Sequence, residues 1–453
     1  MRRPHGLMLS RMARGITPRV ADRLPLTLRA YRGLSAAAAP LAGLLLSHRL
    51  KRNQEDPARV GERRGESGES RPEGPLVWLH GASVGELLAA ISLVERLRAR
   101  EVDVLVTSGT VTSAALAKER LPGDVIHQFI PLDTPLFVDR FLAHWRPSLA
   151  VFIESDLWPN LIIATAQSRI PLIIANGRLS EDSFQRWRAL QKTAKALLGR
   201  FDLCLAQSSV DADRFARLGA HNVHVTGNLK VDVEPPPVDT DKLKALRNAI
   251  GNRRVVAAAS THPGEETAVI EAHRRLQKTF PGLLTIIAPR HAKRGTEIFD
   301  LANNAGLSAV TRSRGKLPKP TTAIYIADTM GELGLVYSLA PIVFIGGSLV
   351  DHGGQNPIEA IKLGAAVLHG PKIRNFAEIY AALDAAGGAE EIIDSDQLQM
   401  RIGAWLNDTS ARDKAAEAGT KTVKRLSGAL ERTLSELEPY LLQIRLDRRI
   451  TDA

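Results

Sequence analysis

The sequence predicts an α/β protein built from two doubly wound domains that face each other across a cleft. Three observations carry this. Short apolar runs alternate with helical stretches along most of the chain. The composition breaks once, at VEPPPVDTDK (residues 233–242). The 453 residues exceed one ordinary hydrophobic core and suit two. Apolar strands separated by helices imply parallel sheets covered on both faces. Ligands of such sheets bind beyond the carboxyl ends of the strands.

In chain order, the first body offers LVWLH, DVLVTS, VIHQFIPL, LAVFIES, PLIIAN, DLCLAQ and VHVTG as strands. The blocks 84–99, 112–120 and 185–198 are among the helices between them. Three consecutive prolines in the 233–242 linker break any regular element. The second body offers VVAAAS, LLTIIAP, IYIAD, PIVFIGG, AAVLHG and EEIID. This gives one domain over 53–232 and another over 243–407, an architecture that alone permits sugar transfer, epimerisation or ligand capture. Residues 408–453 form a helix and tail that return to the first domain, with 439–453 as a weak tail.

The formal charge of +11 is uneven: residues 1–65 hold 14 Lys/Arg against 4 Asp/Glu. No aromatic platform accompanies those charges, so an anionic membrane surface fits better than nucleic acid. Residues 1–32 read as a basic extension, either disordered or a targeting leader. GLSAAAAPLAGLLLS, inside a segment 33–52, is uncharged but short for a span and interrupted by Pro40. It is expected to form a membrane-associating helix lying at the interface. The single cysteine, Cys204, excludes a disulfide framework.

The densest motif is GGSLVDHGGQNPIEAIKLG (346–364), which follows the strand PIVFI. A helix is expected from Asn356, with Asn356 as N-cap, Pro357 at N1 and Glu359 at N3. Glu359 is then either a structural cap or an acceptor for ribose hydroxyls, and the helix start is a place for phosphate. His262 in STHP either caps the next helix or faces the cleft. Arg290 and His291 in APRH directly follow a strand, and arginine suits a phosphate or carboxylate. In the first body, ESDLWPN and NGRLSEDS place Glu154, Asp156, Asn176 and Arg178 at the sheet's carboxyl edge. Arg178 could meet an anionic sugar. Trp158 either packs on an apolar acceptor or fills a helix–sheet contact. Lys230, in GNLKVD, either reaches a phosphate or is a solvated lysine. With no HExxH, no repeated CxxC and no compact DxD at a strand end, a dedicated metal site is unsupported.

These motifs, in this order, resemble the 3-deoxy-D-manno-oct-2-ulosonic acid (Kdo) transferases of lipopolysaccharide assembly. The resemblance runs from about Leu24 to Glu436. It includes KRNQEDPARVGERRG, HGASVGE, TSGTVTSA, IPLDTP, ESDLWPN, NGRLSEDSF, GNLKVD, STHPGEE, APRH, DTMGELG, GGSLVDHGGQNPIEA and HGPKIRNF. It implies the GT-B arrangement, with 53–232 as an acceptor domain and 243–407 as a nucleotide-sugar domain. It implies the cytoplasmic face of the inner membrane, CMP-Kdo as donor and a lipid A precursor as acceptor. It also implies inversion at the anomeric centre, no cofactor and no divalent metal in the active site. Glu86 corresponds to the family's catalytic base. Ser83, Glu154, Asp156, Arg178 and Lys230 fall on the acceptor or Kdo side. His262, Arg290, His291, the Met330–Gly331–Glu332 turn, Asn356 and Glu359 fall on the nucleotide side. Two departures stand out: NGR replaces the usual NAR at 176–178, which is expected to loosen that turn, and GGQN replaces GGHN, with Gln355 losing a possible imidazolium.

HGASVGE (80–86) poses a local question, because Ser83 and Glu86 also have capping-box spacing. A fully engaged cap is poorly placed to take a proton. The expectation is that Ser83 caps the helix while Glu86 turns toward the acceptor hydroxyl. A nucleotide-sugar epimerase and a membrane-bound scaffold with a degenerate cleft are the rival readings. The basic apolar arm opposes the first, and intact Glu86, Arg290 and Glu359 oppose the second.

Overall fold

The computed structural model describes residues 24–100 and 102–451, with side chains through 446. It holds two units: one runs to Asp232 and regains the chain from Ser427, and the other spans Val233–Leu426.

The first unit carries β1 (Leu76–His80), β2 (Asp103–Ser108), β3 (Ile126–Phe129), β4 (Leu149–Ile153), β5 (Leu172–Gly177), β6 (Leu203–Ala206) and β7 (Val223–Val225). They form one parallel sheet in the order β3-β2-β1-β4-β5-β6-β7. The second unit carries β8 (Val255–Thr261), β9 (Leu284–Pro289), β10 (Ala309–Thr311), β11 (Ile324–Ile326), β12 (Ile342–Ile345), β13 (Ala366–His369) and β14 (Ala389–Glu391). Their order is β10-β11-β9-β8-β12-β13-β14, again parallel.

The central strands are largely apolar because helices cover both their faces; β1 and β4 are buried at every residue. Trp78 of β1 is fully buried against Phe141 and Phe152, and its indole N–H donates to Thr107 Oγ1 at 2.9 Å. That bond satisfies the one polar group of a large apolar side chain.

In each sheet the strand order reverses beside the first strand, and in the second β10 and β11 are also exchanged at the edge. The reversal lies between β1 and β4 in the first unit and between β8 and β12 in the second. Crossovers leave these neighbouring strands in opposite directions, so their carboxyl ends part and leave a crevice. HGASVGE and Glu154 follow β1 and β4; His262 and the Gly346–Gly347 turn follow β8 and β12.

Four expectations need correction. The uncharged run is not one helix beginning at Gly33: a helix Leu26–Ala38, a 3₁₀ turn at Ala39–Leu41 holding Pro40, and a helix Ala42–Lys51 follow one another. Arg29 and Arg32 therefore belong to a helix docked on the first unit, where Tyr31 Oη donates to Asp133 and Asn160 Nδ2 to Ser35. Residues 1–23 of the basic extension lie outside the described residues. Among the described residues no helix is long and apolar enough to cross a membrane.

The linker ends earlier than residue 242, because Asp239 caps a helix Thr240–Ile250 by accepting from Asp241 N and Lys242 N. The C-terminal segment divides. Thr409–Leu426 stays with the second unit, and Ala429–Thr451 packs on the first. Asp232 accepts from Gly428 N (2.8 Å) and Leu430 N (2.6 Å), fixing the start of that last helix. Its Leu434, Leu437 and Leu441 are buried, so the stretch beyond 439 is helix rather than weak tail. Finally, β10 adds a short edge strand that its three-residue apolar signal did not announce.

Candidate active site

In the first unit the helix Val84–Arg98 starts where the sequence predicts. Ser83 is its N-cap, with Oγ accepting from Glu86 N at 3.3 Å. Glu86 does not turn away from the cap. Its Oε1 accepts from Ser83 Oγ at 2.8 Å and its Oε2 from Ala82 N at 2.7 Å. The reason is local: residues Ala82 and Ser83 present two donors before the first turn, and the N3 carboxylate reaches both. The two roles still do not exclude each other, because an ionised carboxylate has about four lone-pair sites and two are in use.

Glu86 sits in an electrostatic setting that favours its proton. Burial pushes its carboxyl above the ordinary value, and the charges of Glu154 and Asp156 push the same way; the Ser83 hydroxyl and His80 pull it back only in part. A carboxylate of raised basicity suits proton abstraction.

Glu154 follows β4 in the left-handed region, at φ 65°. A residue without glycine's freedom is strained there, and such strain gathers at functional sites. Its Oε1 is paired with Lys230 Nζ at 2.8 Å, and both side chains are largely buried. Lys230 is placed by Asn176, itself left-handed at φ 54°, whose Oδ1 accepts from Leu229 N at 2.9 Å. The β5–β6 register shifts at this point, between Ile174 and Gly177.

Asp156 lies 3.5 Å from His80 Nε2 and accepts from Trp158 Nε1 at 2.9 Å. Burial pushes its carboxyl up, but the bonds and charge of His80 and the Trp158 bond outweigh it and hold the group below its usual value. Trp158 is 39% exposed, so it does not fill a helix–sheet contact. Arg178 is half-buried at the first residue after β5. Gly177 does not loosen the turn: a Cβ there would lie 3.0 Å from Phe215 and 3.1 Å from Ile174, so the missing methyl matches a tight contact.

In the second unit Ser260, left-handed at φ 57°, marks a register shift between β8 and β9. His262 beyond it is nearly buried and stacks on His352, with ring centroids 3.9 Å apart. His291 approaches edge-on at 6.3 Å, and Gln355 Nε2 lies 3.2 Å from His262 Nε2. Burial, then the charges of His352, His291, Arg290 and Arg294, pull the His262 imidazole down to about 4. His291 is lowered too, by burial and then by Arg290, Lys293 and Arg294. This concentration of basic groups resists further protonation and favours an incoming anion.

Two predicted nucleotide residues behave differently from expectation. The helix after Gln355 is only Ile358–Lys362, five residues, with Pro357 rather than Asn356 at its cap position. Asn356 Oδ1 accepts from Ile358 N at 3.0 Å, a local turn that stands in for the predicted capping box. Glu359 is half-buried on that helix. In the Met330–Gly331–Glu332 turn, Met330 is 62% exposed and Gly331 is left-handed at φ 75°. The Glu332 carboxylate is already held by Arg312 (2.9 and 3.1 Å) and Lys242 (2.9 Å). The bond from Arg312 is the largest cause of its fall to about 2.

Sequence reasoning missed Glu265 as an organising residue. Its buried carboxylate accepts four backbone N–H groups: His262 (2.9 Å), Gly347 (2.7 Å), Ser348 (3.0 Å) and Leu349 (2.9 Å). It thereby ties the β8 exit to the β12 exit. His80 and His352 were also missed, although both stand inside quoted motifs; adjacency to Glu86 and to Gln355 was the only signal. Among the described residues no group of three or more His, Cys, Asp or Glu is placed to hold a metal ion.

Residues 58–233 match a family model described as 3-deoxy-D-manno-octulosonic-acid transferase (kdotransferase). A 3-deoxy-D-manno-octulosonic acid transferase of Haemophilus influenzae is 35% identical over 390 residues, covering 84% of this chain and 91% of that protein. A transferase of the same name from Rickettsia bellii is 33% identical over 417 residues, covering 91% of this chain and 99% of its own. Among solved structures, a glycosyltransferase from Rickettsia africae matches with a TM-score of 0.55 over 82% of this chain and 99% of its own. At 12% identity that likeness speaks to the GT-B-like α/β fold alone. Identity at this level over nearly the whole chain makes the protein an enzyme, a member of the Kdo transferase family.

Proposed function

We propose that this chain transfers Kdo from CMP-Kdo to a hydroxyl of a lipid A precursor resembling lipid IVA, inverting the anomeric centre and releasing CMP. The observation that carries the reading is Glu86: a carboxylate of raised basicity, beyond the strand where the first sheet reverses, with two lone-pair sites unused by its cap.

In the step, Glu86 takes the proton of the acceptor hydroxyl as that oxygen bonds to the ketosidic carbon. The bond from that carbon to the phosphate oxygen breaks, and its electron pair leaves with CMP. Attack opposite the leaving group inverts the carbon. The first unit's share is the base, with Ser83 and Asp156 on the acceptor side and with Arg178 and the Lys230–Glu154 pair for the Kdo carboxylate. The second unit's share is the nucleotide, for which Arg290 offers the phosphate positive charge, while the imidazoles of His262 and His291, kept neutral by their lowered pKa, offer hydrogen bonds. Met330, Gly331, Asn356 and Glu359 complete the nucleotide side, with Glu332 shaping that turn from within its ion pairs.

The acceptor is a lipid, and the N-terminal helices suit its surface. Leu26, Leu34, Leu41, Leu44 and Leu45 are 78%, 72%, 60%, 72% and 49% exposed. Arg29, Arg32, Arg49, Lys51 and Arg52 stand among and after them. Exposed leucines beside cations favour lying on an anionic bilayer, here the cytoplasmic face of the inner membrane.

The test is CMP release measured with both substrates together and with each alone. The expected result is release only with both present, and a Glu86→Gln variant that binds CMP with unchanged affinity but loses transfer. Full transfer by that variant would remove Glu86 as the base.

A further inference from the structure

The segment 53–66 is not a surface linker. Arg63 is 2% exposed, and an isolated charge at that depth is costly unless fully bonded. Each of its three guanidinium nitrogens donates a hydrogen bond. Nε donates to Glu55 Oε2 at 2.8 Å, Nη1 to the Ile130 carbonyl at 3.1 Å and Nη2 to the Gly109 carbonyl at 2.6 Å, with the Phe129 ring 4.5 Å below. Glu55, also buried, is shared with Arg49 at 3.0 Å.

The third of those bonds leads to the base. Gly109 N–H donates to the Ala82 carbonyl at 2.9 Å, and Ala82 N–H donates to Glu86 Oε2 at 2.7 Å. Gly109 is needed for the approach, because a Cβ there would stand 2.9 Å from the Ala82 oxygen. The carbonyl and the N–H of Gly109 belong to the two peptide groups that meet at its Cα, as do those of Ala82, so a bond that anchors one group limits where the next can lie. The planar fork of arginine fixes the angle at the near end, which a lysine cannot do.

We propose that Arg63 is a positioning residue for Glu86, acting through Gly109 and Ala82. It fixes where the Ala82 N–H points, and so where the carboxylate lies and how readily it ionises. The inference rests on the reading of Glu86 as the base. It also gives the buried Glu55–Arg63 pair a use beyond the bond to the Ile130 carbonyl at the end of β3.

The experiment compares full-length Arg63→Lys and Gly109→Ala with Glu86→Gln, recording melting temperature, donor KM, kcat and the pH dependence of kcat. Arg63→Lys keeps the charge and loses the fork. Gly109→Ala leaves Arg63 intact and presses on Ala82. The expected result for both is a fall in kcat of about tenfold or more with donor KM unchanged. The acid limb of the kcat profile also moves to higher pH, because a weakened Ala82 N–H bond stabilises the ionised carboxylate less. A folded Arg63→Lys with wild-type kcat and acid limb overturns the proposal, as does a fall in kcat with no movement of the limb. If Arg63→Lys melts too low to assay, Gly109→Ala decides by the same outcomes. If Glu86→Gln itself transfers normally, the base reading fails first; if it is inactive while the other two are wild type, only this inference fails.

Discussion

Replacing Glu265 by glutamine tests whether one buried carboxylate holds the nucleotide side together. The glutamate is 1% exposed. One of its oxygens accepts from His262 and Gly347, the other from Ser348 and Leu349. The amide of glutamine has a single oxygen, so in either orientation two backbone N–H groups face an NH₂ that cannot accept. An unsatisfied buried donor costs about 1–3 kcal/mol, so the pair costs about 2–6 kcal/mol. For a unit of this size each kcal/mol lowers the melting temperature by about 2–4 °C. The assay is scanning calorimetry with and without CMP, in which the proposed function assigns the transition raised by CMP to the second unit. Glu265→Gln should lower that transition by roughly 4 °C at the least and leave the other in place. CMP affinity should fall with it, because the Gly347–Leu349 turn leads directly to His352 and Gln355. A variant whose CMP-sensitive transition and CMP affinity both match wild type would refute the reasoning.

Four further outcomes are expected. Because burial raises the Glu86 carboxyl, kcat should fall as pH drops through a value above the ordinary carboxylate range. The same shift has a sign for stability: a raised folded pKa contributes stability below the unfolded value and loses it as pH rises through the folded one. Glu86→Gln should therefore gain in melting temperature over wild type as pH rises from about 4 to about 8, and a pH-independent difference would contradict this. Glu332 has the opposite sign. Its folded pKa of about 2 means its ion pairs stabilise above the unfolded carboxyl range and fail as pH falls toward that value. Acid titration of Arg312→Met should show the second unit unfolding at higher pH than wild type. On the N-terminal helices, burying one exposed leucine is worth about 1.5–3 kcal/mol, so Leu44→Ser with Leu45→Ser should cut partition onto anionic vesicles by more than about tenfold. Equal vesicle binding would count against the membrane role.

Both sheets were legible because their strands are buried on both faces and read as apolar runs. Only β10 escaped, a short edge strand whose Ala309 and Val310 are half-buried. The glycine turns were legible as strand exits, and Ser83 as a cap, since these depend on neighbours in sequence. What could not be read depends on distant partners. Asp232 caps a helix that begins at Ala429. Glu265 serves a turn about eighty residues on. Glu154 and Ser260 adopt left-handed backbone that no residue type announces. Glu86 shows the limit most clearly: its spacing told of a cap and its family resemblance of a base, and the geometry accommodates both on different lone pairs.

The central claim is the transfer itself, and the direct measurement is mass analysis of a lipid A precursor incubated with CMP-Kdo and the full-length protein. The account predicts acceptor enlarged by whole Kdo residues, with one CMP released for each residue gained. An acceptor of unchanged mass, whether the donor survives or is merely hydrolysed to free Kdo and CMP, would contradict it.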